Sequence, residues 1–131
     1  MIYLDTSVVL AQLLAEDRRP PEGLWTELLV SSRLLEYEVW TRLHARKLAA
    51  SHGDLARDLL RRLAFVELAI PVLSRALEPW PLPLRTLDAL HLASFAFLRD
   101  RGQPLRLASY DERQVEVARA LDFELADLAT R

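Results

Sequence analysis

Cysteine is absent from this 131-residue chain, which removes disulfide scaffolds, cysteine-ligated zinc sites and thiol nucleophiles from consideration. The absence suits a reducing compartment, so a cytoplasmic location is expected. Three glycines and seven prolines are too few for a low-complexity or fibrous chain. No run reaches the roughly 18 apolar residues of a membrane span, and no membrane partner is expected. The opening stretch reaches Asp5 with no basic segment ahead of it, which is not the pattern of a secretory signal. Excess charge of one sign is missing too: seventeen basic and nineteen acidic side chains leave a net charge of −2. Bulk electrostatics therefore does not announce a nucleic-acid binder, although a local patch can still hold phosphate. Lysine is almost absent, Lys47 being the only one, and every other basic residue is arginine. Arginine suits bidentate phosphate contact, and a GC-rich genome gives the same bias.

What is present is a core. Hydrophobic residues make up 51% of the chain and charged residues 27%, the balance of a globular protein. The length fits a single domain over residues 1–131, without repeats or linkers. Ile2-Tyr3-Leu4 reads as a short buried strand, followed by a helix over about Val8 to Ala15 capped by Thr6 or Ser7. Leu28-Leu29-Val30 reads as a second strand, with Ser31 or Ser32 starting a helix to about Leu48. A further helix opens at His52-Gly53-Asp54, with Leu55, Leu59 and Leu63 on one apolar face. Val66 to Ile70 is a candidate strand, Pro71 begins a short helix, and Trp80-Pro81-Leu82-Pro83 is a loop. Thr86 caps a long helix to about Asp100 that ends at Arg101-Gly102. Leu105 to Ala108 is a strand, Asp111 to Leu121 a helix, and Phe123 to Leu128 an edge strand or coil. Alternating strands and helices predict an α/β fold with a parallel sheet covered on both faces.

Four acids stand out by position. Asp5 ends the first strand and Asp111 follows the last long one, and open α/β sheets bind ligands outside the carboxyl ends of their strands. Asp88 lies in the first turn of the Thr86 helix, and Glu38 interrupts the apolar pattern Leu34-Leu35-x-Tyr37-Glu38-Val39-Trp40. Each has an ordinary reading as well. Asp88 can complement a helix dipole, Asp5 and Asp111 can cap helices, and Glu38 can face solvent beside Arg42 at i,i+4. Converged in one cleft, however, the carboxylates would repel one another and resist desolvation, a penalty that a divalent cation removes. Mg²⁺ and Mn²⁺ prefer oxygen ligands and can activate water against a phosphodiester. With no cysteine, glycine-rich phosphate loop or His-Glu-x-x-His motif, carboxylate–metal hydrolysis is the chemistry left.

Met1-Ile2-Tyr3-Leu4-Asp5-Thr6-Ser7 resembles the opening of the PIN-domain ribonucleases, in particular the VapC-type toxins of bacterial toxin–antitoxin pairs. Ser31-Ser32-Arg33-Leu34-Leu35-Glu36-Tyr37-Glu38-Val39 is similar to their second acidic motif, and Leu84-Arg85-Thr86-Leu87-Asp88-Ala89-Leu90-His91-Leu92-Ala93 closely resembles the third. Leu107-Ala108-Ser109-Tyr110-Asp111-Glu112-Arg113 resembles the fourth, so the likeness covers essentially the whole chain. The resemblance implies a PIN-like three-layer α/β/α fold with a small central parallel sheet of about four or five strands. It implies an endoribonuclease that hydrolyses RNA by metal-activated water, without a covalent enzyme intermediate. Asp5, Glu38, Asp88 and Asp111 would surround one or two Mg²⁺ or Mn²⁺ ions, Asp5 and Asp88 most directly, with Thr6 and Ser109 donating hydrogen bonds to the carboxylates or to substrate. An RNA substrate, a cognate antitoxin and a homodimer are the implied partners.

Neighbouring residues leave choices open. Glu36 and Glu112 rival Glu38 and Asp111 if the register differs, and His91, three residues after Asp88, is either a structural residue or a ligand or base. Arg33, Arg42, Arg46, Lys47 and Arg85 flank the acidic segments and either cradle RNA phosphates or form solvated helix faces. Trp25, Trp40 and Trp80 either stack bases or pack the core. The family often carries a glycine near Asp122, which this chain lacks. A response-regulator receiver would want adjacent acids after the first strand and a late lysine. An aspartyl-phosphate phosphatase would want a second Asp where Ser7 stands. The remaining alternative is a catalytically silent PIN-like scaffold that binds RNA or protein, which an idle acidic cluster disfavours because it costs stability.

Overall fold

Ile2–Leu4 (β1) is three residues long and wholly buried, which an apolar triplet tolerates only in the middle of a sheet. The computed structural model describes residues 1–129. In it β1 pairs in parallel with Leu29–Ser32 (β2) on one side and with Arg106–Ala108 (β4) on the other; Leu63–Val66 (β3) extends the sheet beyond β2. The order is β3-β2-β1-β4, so the chain reverses its direction of sheet growth between β1 and β4. In such sheets that reversal opens a crevice at the carboxyl ends of the two strands.

Side-chain alternation along the strands builds the two outer layers. Ile2, Leu4, Leu29 and Leu63 face a core shared with Thr6–Leu13 (α1), Leu34–Ala45 (α2) and Ala49–Leu60 (α3). Tyr3, Val30 and Leu107 face the opposite core, filled by Leu92, Phe95 and Ala96 of Thr86–Asp100 (α5) and by Val117 and Ala118 of Glu112–Ala120 (α6). Ile70–Ala76 (α4) packs on α5. The result is a three-layer α/β/α arrangement around a four-stranded parallel sheet.

Several element boundaries differ from the sequence reading. Ser31 and Ser32 lie in β2 rather than opening a helix, because both are buried beside β1 and Ser31 Oγ donates to Leu4 O at 2.6 Å. Ser32 still serves α2, its Oγ accepting Leu34 N–H at 3.1 Å. The buried face of α3 consists of Gly53, Ala56, Leu59 and Leu60, leaving Leu55 exposed and Leu63 in a strand. Thr86 is the first helical residue of α5 and makes no cap hydrogen bond there. The segment from Phe123 to Leu128 touches the sheet through one parallel bridge, Leu107 to Leu125.

Four helices end the same way, and glycine appears at only one of them. At the end of α6 the N–H of Asp122 donates to Arg119 O at 3.1 Å and that of Phe123 to Ala118 O at 2.9 Å, with Asp122 at φ 57°. These are the paired bonds of a Schellman turn, whose left-handed position normally holds glycine. Gly102 at φ 86° closes α5 in this manner, while Ala15 and Lys47 take the same left-handed geometry after α1 and α2. The missing glycine near position 122 therefore leaves the turn intact. Burying Phe123 against Phe95 gains about 1.5–3 kcal/mol, more than the roughly 1 kcal/mol that a left-handed residue costs. Asp122→Gly is expected to raise unfolding stability by about 0.5–1 kcal/mol and Gly102→Ala to lower it by about 1 kcal/mol, read from denaturant midpoints at unchanged m.

Candidate active site

The crevice between β1 and β4 is a cleft of about 430 Å³. Its wall includes Asp5, Glu38, Asp88 and Asp111, one acid each from the end of β1, from α2, from the first turn of α5 and from the start of α6. Asp5 caps α1 and also lines the cleft, so its two sequence readings are compatible. Its Oδ2 accepts Ser7 Oγ at 2.6 Å, Ser7 N–H at 3.2 Å and Ser109 Oγ at 3.2 Å. Ser109 Oγ in turn accepts the Asp111 N–H, and Asp111 Oδ1 caps α6 by accepting Gln114 N–H, both at 3.0 Å. Ser7 Oγ accepts the N–H of Tyr110 at 3.0 Å, tying the β4 end to the β1 end a second time.

Glu38 turns into the cleft instead of pairing with Arg42. Its Oε1 accepts Thr6 Oγ1 at 2.8 Å and lies 2.7 Å from His91 Nε2. His91 is buried on α5, and its Nδ1 lies 2.8 Å from Tyr3 Oη. Asp5, Glu38 and Asp111 thus each commit one carboxylate oxygen to protein donors and keep the other uncommitted by those bonds. Among the described residues no group of three His, Asp or Glu side chains already stands close enough to grip an ion. The donors are all oxygen, which is the chemistry that suits Mg²⁺ or Mn²⁺.

Electrostatics records the crowding. Burial, then the charges of Asp111 and Asp5, push the Asp88 carboxyl up to about 6; Glu38 adds to the rise and His91 opposes it. Burial pulls the His91 imidazole down, but the Glu38 hydrogen bond and the charges of Asp5, Glu38 and Asp88 more than offset it, for a net rise.

The rivals lie elsewhere. Glu36 binds Arg33 at 3.3 Å, and Glu112 sits exposed at the start of α6 outside the cleft wall. Among the basic candidates, Arg42 and Arg85 line the cleft. Arg33 does not: it pairs with Glu67 at 2.8 Å and stacks on Phe65. Arg46 is exposed at the end of α2, outside the cleft wall, and Lys47 occupies a helix-ending turn. Arg18, over the Tyr110 ring at 5.0 Å, joins the cleft without having been picked out in the sequence, since it sits in the breaker Asp17-Arg18-Arg19-Pro20-Pro21. The tryptophans pack: Trp25 against the α1–α3 core, Trp40 under Arg57, and Trp80 under Arg75 with its Nε1–H donating to Ala76 O at 3.3 Å. The sequence reading gives Ser7 only as a candidate helix cap and Tyr3 only as a strand residue; Asp5-Thr6-Ser7 holds a signal for the Ser7 contact, because a capping acid bonds the residue two positions on.

No helix among the described residues is long and apolar enough to cross a membrane. The PIN domain profile matches residues 2–120. Ribonuclease VapC47 of Mycobacterium tuberculosis (strain CDC 1551 / Oshkosh) is 31% identical, over 96% of this chain and 96% of its own. The crystal structure of M. tuberculosis VapC20, described as a sarcin-ricin loop cleaving toxin, superimposes with a TM-score of 0.67 at 18% identity, covering 96% of this chain and 98% of that one.

Because folding raises the Asp88 pKa from 3.8 to about 6, this group favours the folded state fully below about pH 4, and the benefit is lost as pH rises through about 6. In metal-free buffer, Asp88→Asn should therefore melt higher than the parent above pH 6, with the gap closing towards pH 4. Thermal melts across that range test this, and a variant that is less stable at pH 7 would contradict it.

Proposed function

This chain belongs to the PIN-domain family, and from that premise we propose that it is a metal-dependent endoribonuclease, the toxin of a toxin–antitoxin pair. The observation that carries the reading is the meeting of four carboxylates from four separate elements in one cleft at the sheet's switch point, rimmed by Arg18, Arg42 and Arg85. Asp5, Glu38, Asp88 and Asp111 would hold one or two Mg²⁺ or Mn²⁺ ions. When bound, such an ion acidifies a water molecule and neutralises charge developing on a phosphodiester.

The chain's own residues supply the rest. Ser7 and Ser109 hold the Asp5 carboxylate on its Oδ2 side, and Thr6 holds Glu38 on its Oε1 side, so that the free oxygens are oriented before substrate arrives. The cleft is acidic at its floor, and a polyanion enters only if something offsets that charge. The rim guanidiniums do so in part by taking backbone phosphates, for which their forked donors are shaped. No cysteine is available as a nucleophile, and the hydroxyls of Thr6, Ser7 and Ser109 are spent on carboxylates. Direct attack by water, rather than by a side chain, is the route proposed. For partners, Ile70, Leu73 and Leu77 give α4 an exposed apolar face of the kind that a homodimer or an antitoxin covers.

Cleavage of a mixed-sequence RNA should require Mn²⁺ or Mg²⁺, stop with chelator, and fall by more than about 100-fold in Asp5→Asn and in Asp88→Asn while both remain folded. Equal cutting by parent and variants would refute the site, and no metal-dependent cutting by the parent would favour a binding scaffold. On a substrate that is cut, Arg42→Ala and Arg85→Ala should raise KM more than they lower kcat. Each should also flatten the salt dependence of RNA binding by about 0.7 in log–log slope, and a pure kcat effect would deny them a phosphate role.

A further inference from the structure

The floor beneath the acids contains a buried hydrogen-bonded line that the proposed reaction has not used. Tyr3 and His91 are 0% and 1% exposed, yet both present their polar atoms to one another at 2.8 Å, with rings edge-to-face. Tyr3 Oη also accepts the Ser32 N–H at 3.2 Å, where β2 hands over to α2. Burial holds the Tyr3 phenol in its protonated form. In neutral His91, Nδ1 accepts the Tyr3 hydroxyl proton and Nε2 carries the ring's own. In the cation both nitrogens carry one. In either state an N–H points from Nε2 at Glu38 Oε1, 2.7 Å away, with Thr6 Oγ1 at 3.1 Å.

We infer that His91, backed by Tyr3, is the positioning residue of Glu38. Its Nε2–H and the Thr6 hydroxyl both terminate on Oε1, which saturates that oxygen and turns Oε2 alone towards the cleft. Glu38 sits on α2 and His91 on α5, helices on opposite faces of the sheet, so no local backbone geometry relates them. The Tyr3 side chain, projecting from the central strand, is what sets the imidazole's height and tilt. A floor of Leu or Phe at position 91 would fill the same space but leave Glu38 free to rotate, or to offer both oxygens at once. This inference rests on the metal reading for its consequence, but not for the contact itself.

Two measurements separate them. Imidazole ¹⁵N spectra of the metal-free protein should show a hydrogen-bonded Nε2–H at His91 that shifts in Glu38→Gln and in Tyr3→Phe. In parallel, Mn²⁺ affinity is titrated for the parent, His91→Leu and His91→Gln, since the Gln amide can place a donor near the Nε2 position. His91→Leu should lose about 10- to 100-fold in Mn²⁺ affinity, and His91→Gln should recover most of it even where both variants lower the melting temperature. Equal affinity in the parent and His91→Leu, or a loss that Gln does not restore, would overturn the role, because mere packing would be indifferent to the donor. A parent that binds no Mn²⁺ would remove the metal reading instead. The ¹⁵N response to Glu38→Gln would then decide the positioning by itself, its absence overturning it.

Discussion

Four negative groups brought into one half-buried cleft repel one another, and much of the polar structure of this protein is arranged around that repulsion. The Asp88 carboxyl records it directly, pushed up to about 6 by burial and by Asp111 and Asp5. The fold does not relieve that penalty at Asp88 with a neutral side chain. Instead, serine, threonine and histidine donors are placed to hold Asp5 and Glu38 where they are, each on one oxygen. The serine and threonine donors restrain the acids without neutralising them, which keeps the remaining oxygens available.

The sheet explains how the acids come to meet. A parallel order of β3-β2-β1-β4 puts β1 in the middle, so the residue after β1 and the loop after β4 are neighbours although more than a hundred positions separate them in the chain. Ser7 and Ser109 stitch these two ends together through Asp5 and Tyr110. On the two flanks, α2 and α5 come from opposite layers, and Glu38 and His91 close the gap between them at 2.7 Å. The cleft is therefore sensitive to strand pairing: a slip in β1 against β4 would break the serine stitches and misplace Asp5 relative to Asp111 together.

Sequence pattern is a strong guide where the structural signal is local. The triplet Ile2-Tyr3-Leu4, the long helix after Thr86 and the helix after Asp111 were legible because an apolar run or a helical period is a local property. Ser31 misled because serine signals helix starts in general, whereas here a buried strand spends its hydroxyl on Leu4, 27 residues away, and only Ser32 serves the helix start, through Leu34 N–H. Leu55 misled because α3 buries its small residues, Gly53 and Ala56, closely enough that a Cβ at position 53 would meet Trp40 at 3.4 Å. The turn at Asp122 had no visible signal at all, since a helix can end in the left-handed conformation on an aspartate when the next residue has a core to enter.

The sequence by itself determined the α/β class, the order of the elements and the short list of acids, because hydrophobic period, breakers and the position of an acid at a strand's end are written within a few residues. It left open whether Glu36 or Glu38 faces the cleft, which of Arg33, Arg42, Arg46, Lys47 and Arg85 reach the rim, and what His91 touches. Those choices turn on which helix faces pack across the sheet, and packing is settled by all the side chains at once. Tertiary structure alone set Glu38 beside His91, paired Arg33 with Glu67, and put Tyr3 under the acids. The physical reason is distance along the chain: these partners lie 53, 34 and 88 residues apart, beyond the reach of any local pattern.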